Sequence, residues 1–163
     1  DPLTGLLNRR SLHRVMQEMY QSPKPDSQCL GLMILDLDHF KRINDQHGHL
    51  IGDEVLVLTA EVLQNNIRQQ DFAGRFGGEE FVVVLENASR QEVQVVAERI
   101  RTQLQAIVLQ DQTGRAVQVS GSVGAISLPL RRAIQLEQAI HAVDQALYQA
   151  KEQGRNRVVM VDD

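Results

Sequence analysis

The sequence predicts an α/β fold, of the α+β kind, with helices flanking a mixed central sheet, and three observations point there. The apolar run CLGLMILDLD (29–38) reads as a central strand; FAGRF and FVVVL flank Gly77 and Gly78 as a hairpin; and helical periodicities alternate with these strands. After one leading helix the order is strand, helix, hairpin, helix, strand, helix, strand, the pattern of a split βαβ arrangement. At 163 residues, a single domain spanning 1–163 with a sizeable core is expected.

The elements follow in order. Leu12, Val15, Met16 and Met19 recur at helical spacing after Asn8, a suitable cap, and Pro23 and Pro25 mark a loop in SPKPDS. The central strand delivers Asp36 and Asp38 at its C-terminal end. From Gly52 to about Ile67, Val55, Leu58, Val62 and Leu63 form one helical face. Ser89 with Glu92 makes a capping box ahead of Val93, Val96, Ala97, Ile100, Leu104 and Ile107. VQVSGSVGAISL reads as a strand, Leu136 to Glu152 as a helix stopped at Gly154, and RVVMV as a last strand.

Composition narrows the function. Hydrophobic residues make up 42% and charged residues 23%, as in soluble globular proteins, and the net charge of −4 speaks against a general nucleic-acid partner. A phosphate ligand would need local cations. The lone Cys29 lies in an apolar run, where a buried, reduced thiol is expected. No stretch reaches the roughly 18 residues that cross a bilayer, so the cytoplasm is the expected compartment. Because the chain opens at Asp1 without methionine, it is expected to be cut from a longer protein with upstream sensor or membrane segments.

The chemistry concentrates in two places. If the central strand and the hairpin are neighbours, Asp36 and Glu79 converge, and converging carboxylates require a proton or a cation between them. Hard oxygen ligands beside phosphates suit Mg²⁺. Gly77 and Gly78 can take positive φ and leave room for a triphosphate against the backbone. Taken alone, GGEE fits equally an exposed hairpin whose acids discourage edge pairing. The segment DLDHFKRINDQHGHLIGD (36–53) shifts the balance: Lys41 can neutralise phosphate, and Asn44 and Asp53 offer what a guanine edge requires, while His49 lies among them. Singly, each of these residues is more often a cap, a turn or a surface charge; their clustering after an apolar strand favours function. Lys151 and Arg155 in AKEQGRNR could hold outer phosphates, or simply complement a helix C-terminus.

Five ordered motifs then resemble the GGDEF family of diguanylate cyclases: DPLTGLLNRR, DLDHFKRINDQHGHLIGD, RFGGEEF, SVGA and ALYQAKEQGRNRV. The resemblance implies a fold similar to class III nucleotidyl cyclases and polymerase palm domains, with a ferredoxin-like core, and conversion of two GTP into cyclic di-GMP and two pyrophosphates. It implies Mg²⁺ or Mn²⁺ held by Asp36, the Leu37 carbonyl and Glu79. Asn44 and Asp53 would read guanine, with His49 a further substrate contact and Gly77 and Gly78 beside the phosphates. Lys41 would stabilise transition-state charge, Lys151 and Arg155 would grip outer phosphates, Glu79 would assist deprotonation of the attacking hydroxyl, and Glu80 would assist a second metal. A homodimer, each copy holding one GTP, is implied for turnover. RQQD, with Arg68 and Asp71, resembles the family's inhibitory product site, and Arg99 falls where its further arginine is expected. The competing expectation is a silent GTP- or cyclic di-GMP-binding module that regulates a partner; another nucleotidyl cyclase on the same fold is disfavoured by Asp53.

Overall fold

The computed structural model describes residues 1–21, 28–130 and 136–162. Its elements are α1 (Arg9–Gln21), β1 (Cys29–Leu37), α2 (Phe40–His47), α3 (His49–Asn65), β2 (Phe72–Arg75), β3 (Glu80–Glu86), α4 (Arg90–Gln105), β4 (Gly121–Pro129), α5 (Leu136–Glu152) and β5 (Val158–Met160). The proline loop expected in SPKPDS lies outside the described residues.

The strands form one sheet in the order β2-β3-β1-β4-β5, antiparallel throughout except for the parallel β4–β5 pair. Without β5 the order is the interleaved one of a split βαβ pair, so the mixed sheet flanked by helices is as expected. Strand β1 is apolar along its length because both of its faces are buried. Leu30, Leu32 and Ile34 join Val82 and Val84 under Leu12 and Met16 of α1 and Val143 and Leu147 of α5. On the other face, Met33, Leu35 and Leu37 pack with Phe81, Val83 and Leu85 against Val55 and Leu63 of α3 and Val93, Ala97 and Ile100 of α4. The period-2 alternation therefore assigns each residue of β1 to a layer. Asp36, in step with Ile34, falls on the α1/α5 side.

Local signals explain the ends of the elements. Asn8 Oδ1 accepts from the Ser11 amide at 2.9 Å at the start of α1. At α4 both halves of the capping box form: Ser89 Oγ accepts from the Glu92 amide at 3.2 Å, and Glu92 Oε2 accepts from the Ser89 amide at 2.7 Å. Helix α5 packs on β4 over Gly124, where a Cβ would lie 2.3 Å from the Val143 carbonyl oxygen and 2.6 Å from the Leu147 nitrogen. Only glycine permits this approach.

Several expectations are corrected. The helix expected from Gly52 is α3, which starts earlier, at His49, and α2 ahead of it was not expected; the two meet at Gly48 with φ 92. The buried face of α3 runs through Leu56, Thr59 and Ala60, while Leu58 is only partly buried. Thr59 is tolerated there because its hydroxyl donates to the Val55 carbonyl at 2.7 Å. Helix α4 stops before Ile107. Strand β4 begins at Gly121 rather than Val117, because β1 has ended and the Val117 amide donates instead to Leu109 at 2.9 Å. Cys29 is free but half-buried.

Candidate active site

The C-terminal end of β1 and the start of β3 bring the two acidic segments together. Asp36 is the cross-strand partner of Glu80, and the Leu37 amide donates to the Glu79 carbonyl at 3.2 Å. Glu80 therefore faces Asp36 across the ladder and Glu79 lies one residue before it, opposite Leu37, although β1 and the hairpin are distant in sequence.

The hairpin tip is closed by main chain. The Phe76 and Gly77 amides both donate to the Glu80 carbonyl, at 2.8 and 3.2 Å. Arg75 braces it from the side, donating through Nε and Nη2 to the Gly78 carbonyl at 3.1 and 2.9 Å. Arg9 of α1 stacks on the Phe76 ring, 4.3 Å from its centroid. Neither Gly77 nor Gly78 has the positive φ expected of them. Their lack of a side chain has another consequence: a Cβ at Gly78 would meet no atom within 4 Å, and one at Gly77 would meet only Glu80 Cβ at 3.6 Å. Among the described residues nothing demands glycine there, and the backbone lies open to an incoming ligand.

Negative charge accumulates beside this opening. Burial, then the charges of Asp144 and Asp36, raises the proton affinity of Glu80 above the usual carboxylate range. Lys151 of α5 answers part of that charge, its Nζ donating to Asp36 Oδ2 at 3.0 Å. Asp38 is occupied otherwise. It is buried and accepts from Ser120 Oγ at 2.7 Å, Ser122 Oγ at 2.6 Å and the Asn156 amide at 3.0 Å. It ties the end of β1 to the turn after α5, where Arg155 and Asn156 take φ of 64 and 47.

The other candidate side chains stand on neighbouring elements. Lys41 and Asn44 lie on α2, and His49 and Asp53 on α3. Asn44 rests against Gly52, where a Cβ would come within 1.8 Å of Asn44 Oδ1. His49 lines a separate cleft with Leu50, Glu54 and Gln110. Among the described residues, the side chains of Lys41, Asn44, Asp53, Glu79 and Arg155 engage in no hydrogen bond or ion pair.

The donor set fits a hard divalent cation. Among the described residues, no three carboxylate, imidazole or thiol side chains converge as a metal cage. Mg²⁺ rarely uses such a cage; it takes one or two carboxylates and completes its shell with water and substrate phosphates. The β1 end with Asp36 and the adjoining Glu79–Glu80 segment offer carboxylates of that kind, beside excess negative charge and an open backbone.

On the far side of the sheet edge, Arg68, Asp71 and Arg99 line a cavity of about 380 Å³ with Leu85, Val95 and Val96. Arg68 donates through Nε and Nη2 to Asp71 at 3.2 Å each. Asp71 in turn accepts from the Glu86 amide at 2.9 Å. Arg99 reaches back across to Asn66, donating to its Oδ1 at 2.6 Å. The bracing residue Asn66 escapes sequence reasoning, because its partners Arg99 and Gln103 lie on another element.

Comparison with known proteins assigns this combination of an interleaved sheet, an acidic strand end and a glycine hairpin to a family. The family described as "Diguanylate cyclase, GGDEF domain" matches residues 1–157. Diguanylate cyclase DgcP of Pseudomonas aeruginosa is 41% identical over 158 residues, 97% of this chain and 23% of its own length. Diguanylate cyclase DosC of Escherichia coli is 39% identical over 97% of this chain and 34% of its own length. The GGDEF domain of DgcB from Caulobacter crescentus, solved in complex with cyclic di-GMP, superimposes with a TM-score of 0.92 at 28% identity, covering 100% of this chain and 95% of that one. The chain belongs to the GGDEF domain family. It spans about a third or less of the curated relatives it matches. Among the described residues no helix is long and apolar enough to cross a membrane.

Proposed function

We propose that this domain condenses two GTP into cyclic di-GMP and two pyrophosphates. The observation that carries the reading is the meeting of the β1 end at Asp36 and Leu37 with the Glu79–Glu80 segment, beside a hairpin whose glycines leave the backbone uncovered. The 3′-hydroxyl of each GTP attacks the α-phosphorus of the other. Two phosphodiester bonds form, two α–β anhydride bonds break, and pyrophosphate leaves in line.

Asp36, Glu79 and the Leu37 carbonyl hold the divalent ion, Mg²⁺ or Mn²⁺, which when bound lowers the pKa of the attacking hydroxyl and offsets charge on the leaving group. Lys151, through its flexible ammonium, and Arg155 grip the outer phosphates. Lys41 stabilises charge developing on the α-phosphoryl group. Asn44 and Asp53 read the guanine edge: Asp53 accepts from the N1 and N2 hydrogens, and adenine would leave this carboxylate unpaired. His49 contacts substrate from the start of α3. Glu79 assists removal of the hydroxyl proton, and Glu80 assists a second ion. Since each copy holds one GTP, the reacting pair assembles only where two domains face one another about a two-fold axis. Arg68, Asp71 and Arg99 bind the product and slow the reaction.

Incubation with GTP, ATP and their mixture in the presence of Mg²⁺, resolved by chromatography, tests this. Cyclic di-GMP from GTP alone is expected. A nucleotide bound but unchanged would identify a regulatory module instead, and an adenine-containing product another cyclase.

A further inference from the structure

The α2–α3 elbow carries Asn44, His49 and Asp53, yet neither helix has a side-chain bond at its N-cap, and the pivot Gly48 stands at φ 92. Two bonds from a distant loop meet the elbow immediately before that pivot. The His47 ring, at Nδ1, lies 2.7 Å from Asp111 Oδ2, and Arg115 Nη2 donates to the Gln46 carbonyl at 2.8 Å. Both side chains of the first pair are enclosed, His47 being 8% and Asp111 5% exposed.

The loop is itself built around Asp111. Its Oδ1 accepts from the Thr113 amide at 2.9 Å, the Thr113 hydroxyl at 2.6 Å and the Arg115 amide at 3.0 Å. Its amide donates to the Arg115 carbonyl at 2.9 Å, and Gly114 supplies the positive φ that closes the turn. The Thr113 hydroxyl and then His47 hold the Asp111 carboxyl well below its ordinary range, so it stays ionised. A bridge between Gln110 and Ala116 anchors the loop behind this turn. One carboxylate thus folds the loop and grips the elbow. The grip lands where α2 ends, and the last turn of α2 carries Asn44, whose carbonyl accepts from the Gly48 amide at 2.9 Å.

We propose that Asp111, His47 and Arg115 are positioning residues for base recognition: the 109–117 loop fixes the angle of the α2–α3 elbow and thereby the separation of Asn44 from Asp53. This rests on Asn44 and Asp53 reading guanine. Two groups that must engage one base edge together lose selectivity when either drifts by about half an ångström. Phosphate contacts from Lys151 and Arg155 lie on α5 and the turn after it, and do not depend on the elbow.

The test compares wild type with Arg115→Ala and Asp111→Ala, measuring affinity for a non-reacting α,β-methylene GTP, for its inosine counterpart lacking the 2-amino group, and for pyrophosphate, each with Mg²⁺. Arg115 is exposed, so its removal leaves the fold intact. The expected result is a guanine-over-inosine preference reduced about tenfold in both variants, with pyrophosphate affinity unchanged. In turnover, KM for GTP rises and kcat holds. Wild-type preference retained in both variants overturns the proposal, as does an equal loss of nucleotide and pyrophosphate. If wild type itself shows no guanine preference, the reading of Asn44 and Asp53 falls, and the proposal with it.

Discussion

Glu80 shows how a single position can be poor for stability and useful for chemistry. Burial and the charges of Asp144 and Asp36 raise its proton affinity. A carboxyl with a raised folded-state pKa binds more protons folded than unfolded, so the domain loses stability as pH rises from about 4.5 through that higher value. Glu80→Gln removes the repulsion. Its thermal midpoint without metal should exceed wild type at pH 7 and approach it near pH 4, while turnover falls; equal midpoints at pH 7 would contradict the account. Asp38 illustrates the opposite case. Its sequence context, two residues from Asp36, suggests a ligand as readily as a brace, and only its three donors, Ser120, Ser122 and the Asn156 amide, decide for the brace.

At the scale of elements, α5 ties the site to the core. It rests on Gly124 by its own backbone, and an added Cβ meets Val143 and Leu147 main-chain atoms that cannot rotate away. Gly124→Ala should therefore cost about 1–3 kcal/mol in chemical denaturation and, by displacing Lys151, raise KM for GTP; an unchanged unfolding midpoint would refute this. The elements themselves were legible where the pattern is local. The capping box of α4, the apolar run of β1 and the glycine hairpin depend on neighbouring residues, so the sequence displays them. Helix α2 was not, since FKRINDQH is short and buries only Ile43, leaving no apolar stripe to read. Nor was the late start of β4, because Val117 and Val119 alternate inward like strand residues while their partners lie in the 109–117 loop. For the same reason Asp36, Glu79, Asn44 and Asp53 could be singled out as candidates, whereas the grip of Asp111 on His47 could not: contacts between distant segments leave no local periodicity.

For the whole molecule, the acidic end of the sheet and the arginine cavity belong to one rigid framework, because β3 runs from Glu80 to Glu86 and joins them. Glu80 lies at the site, and the Glu86 carbonyl accepts from Arg68 at the other end. On the proposed reading, product bound at Arg68 and Arg99 would not need to distort the site, because holding two domains apart would stop a reaction that needs both. Turnover should accordingly rise more steeply than linearly with protein concentration, and Arg68→Ala should relieve product inhibition with initial rates preserved. Strict proportionality, or inhibition unchanged in that variant, would count against the two-domain reading. The most direct test of the central claim, that Asp36 and Glu79 share one cation, is Mn²⁺ binding with α,β-methylene GTP, followed by electron paramagnetic resonance in wild type, Asp36→Asn and Glu79→Gln. Each substitution is predicted to weaken Mn²⁺ binding at least about tenfold; wild-type affinity in either variant would contradict the account.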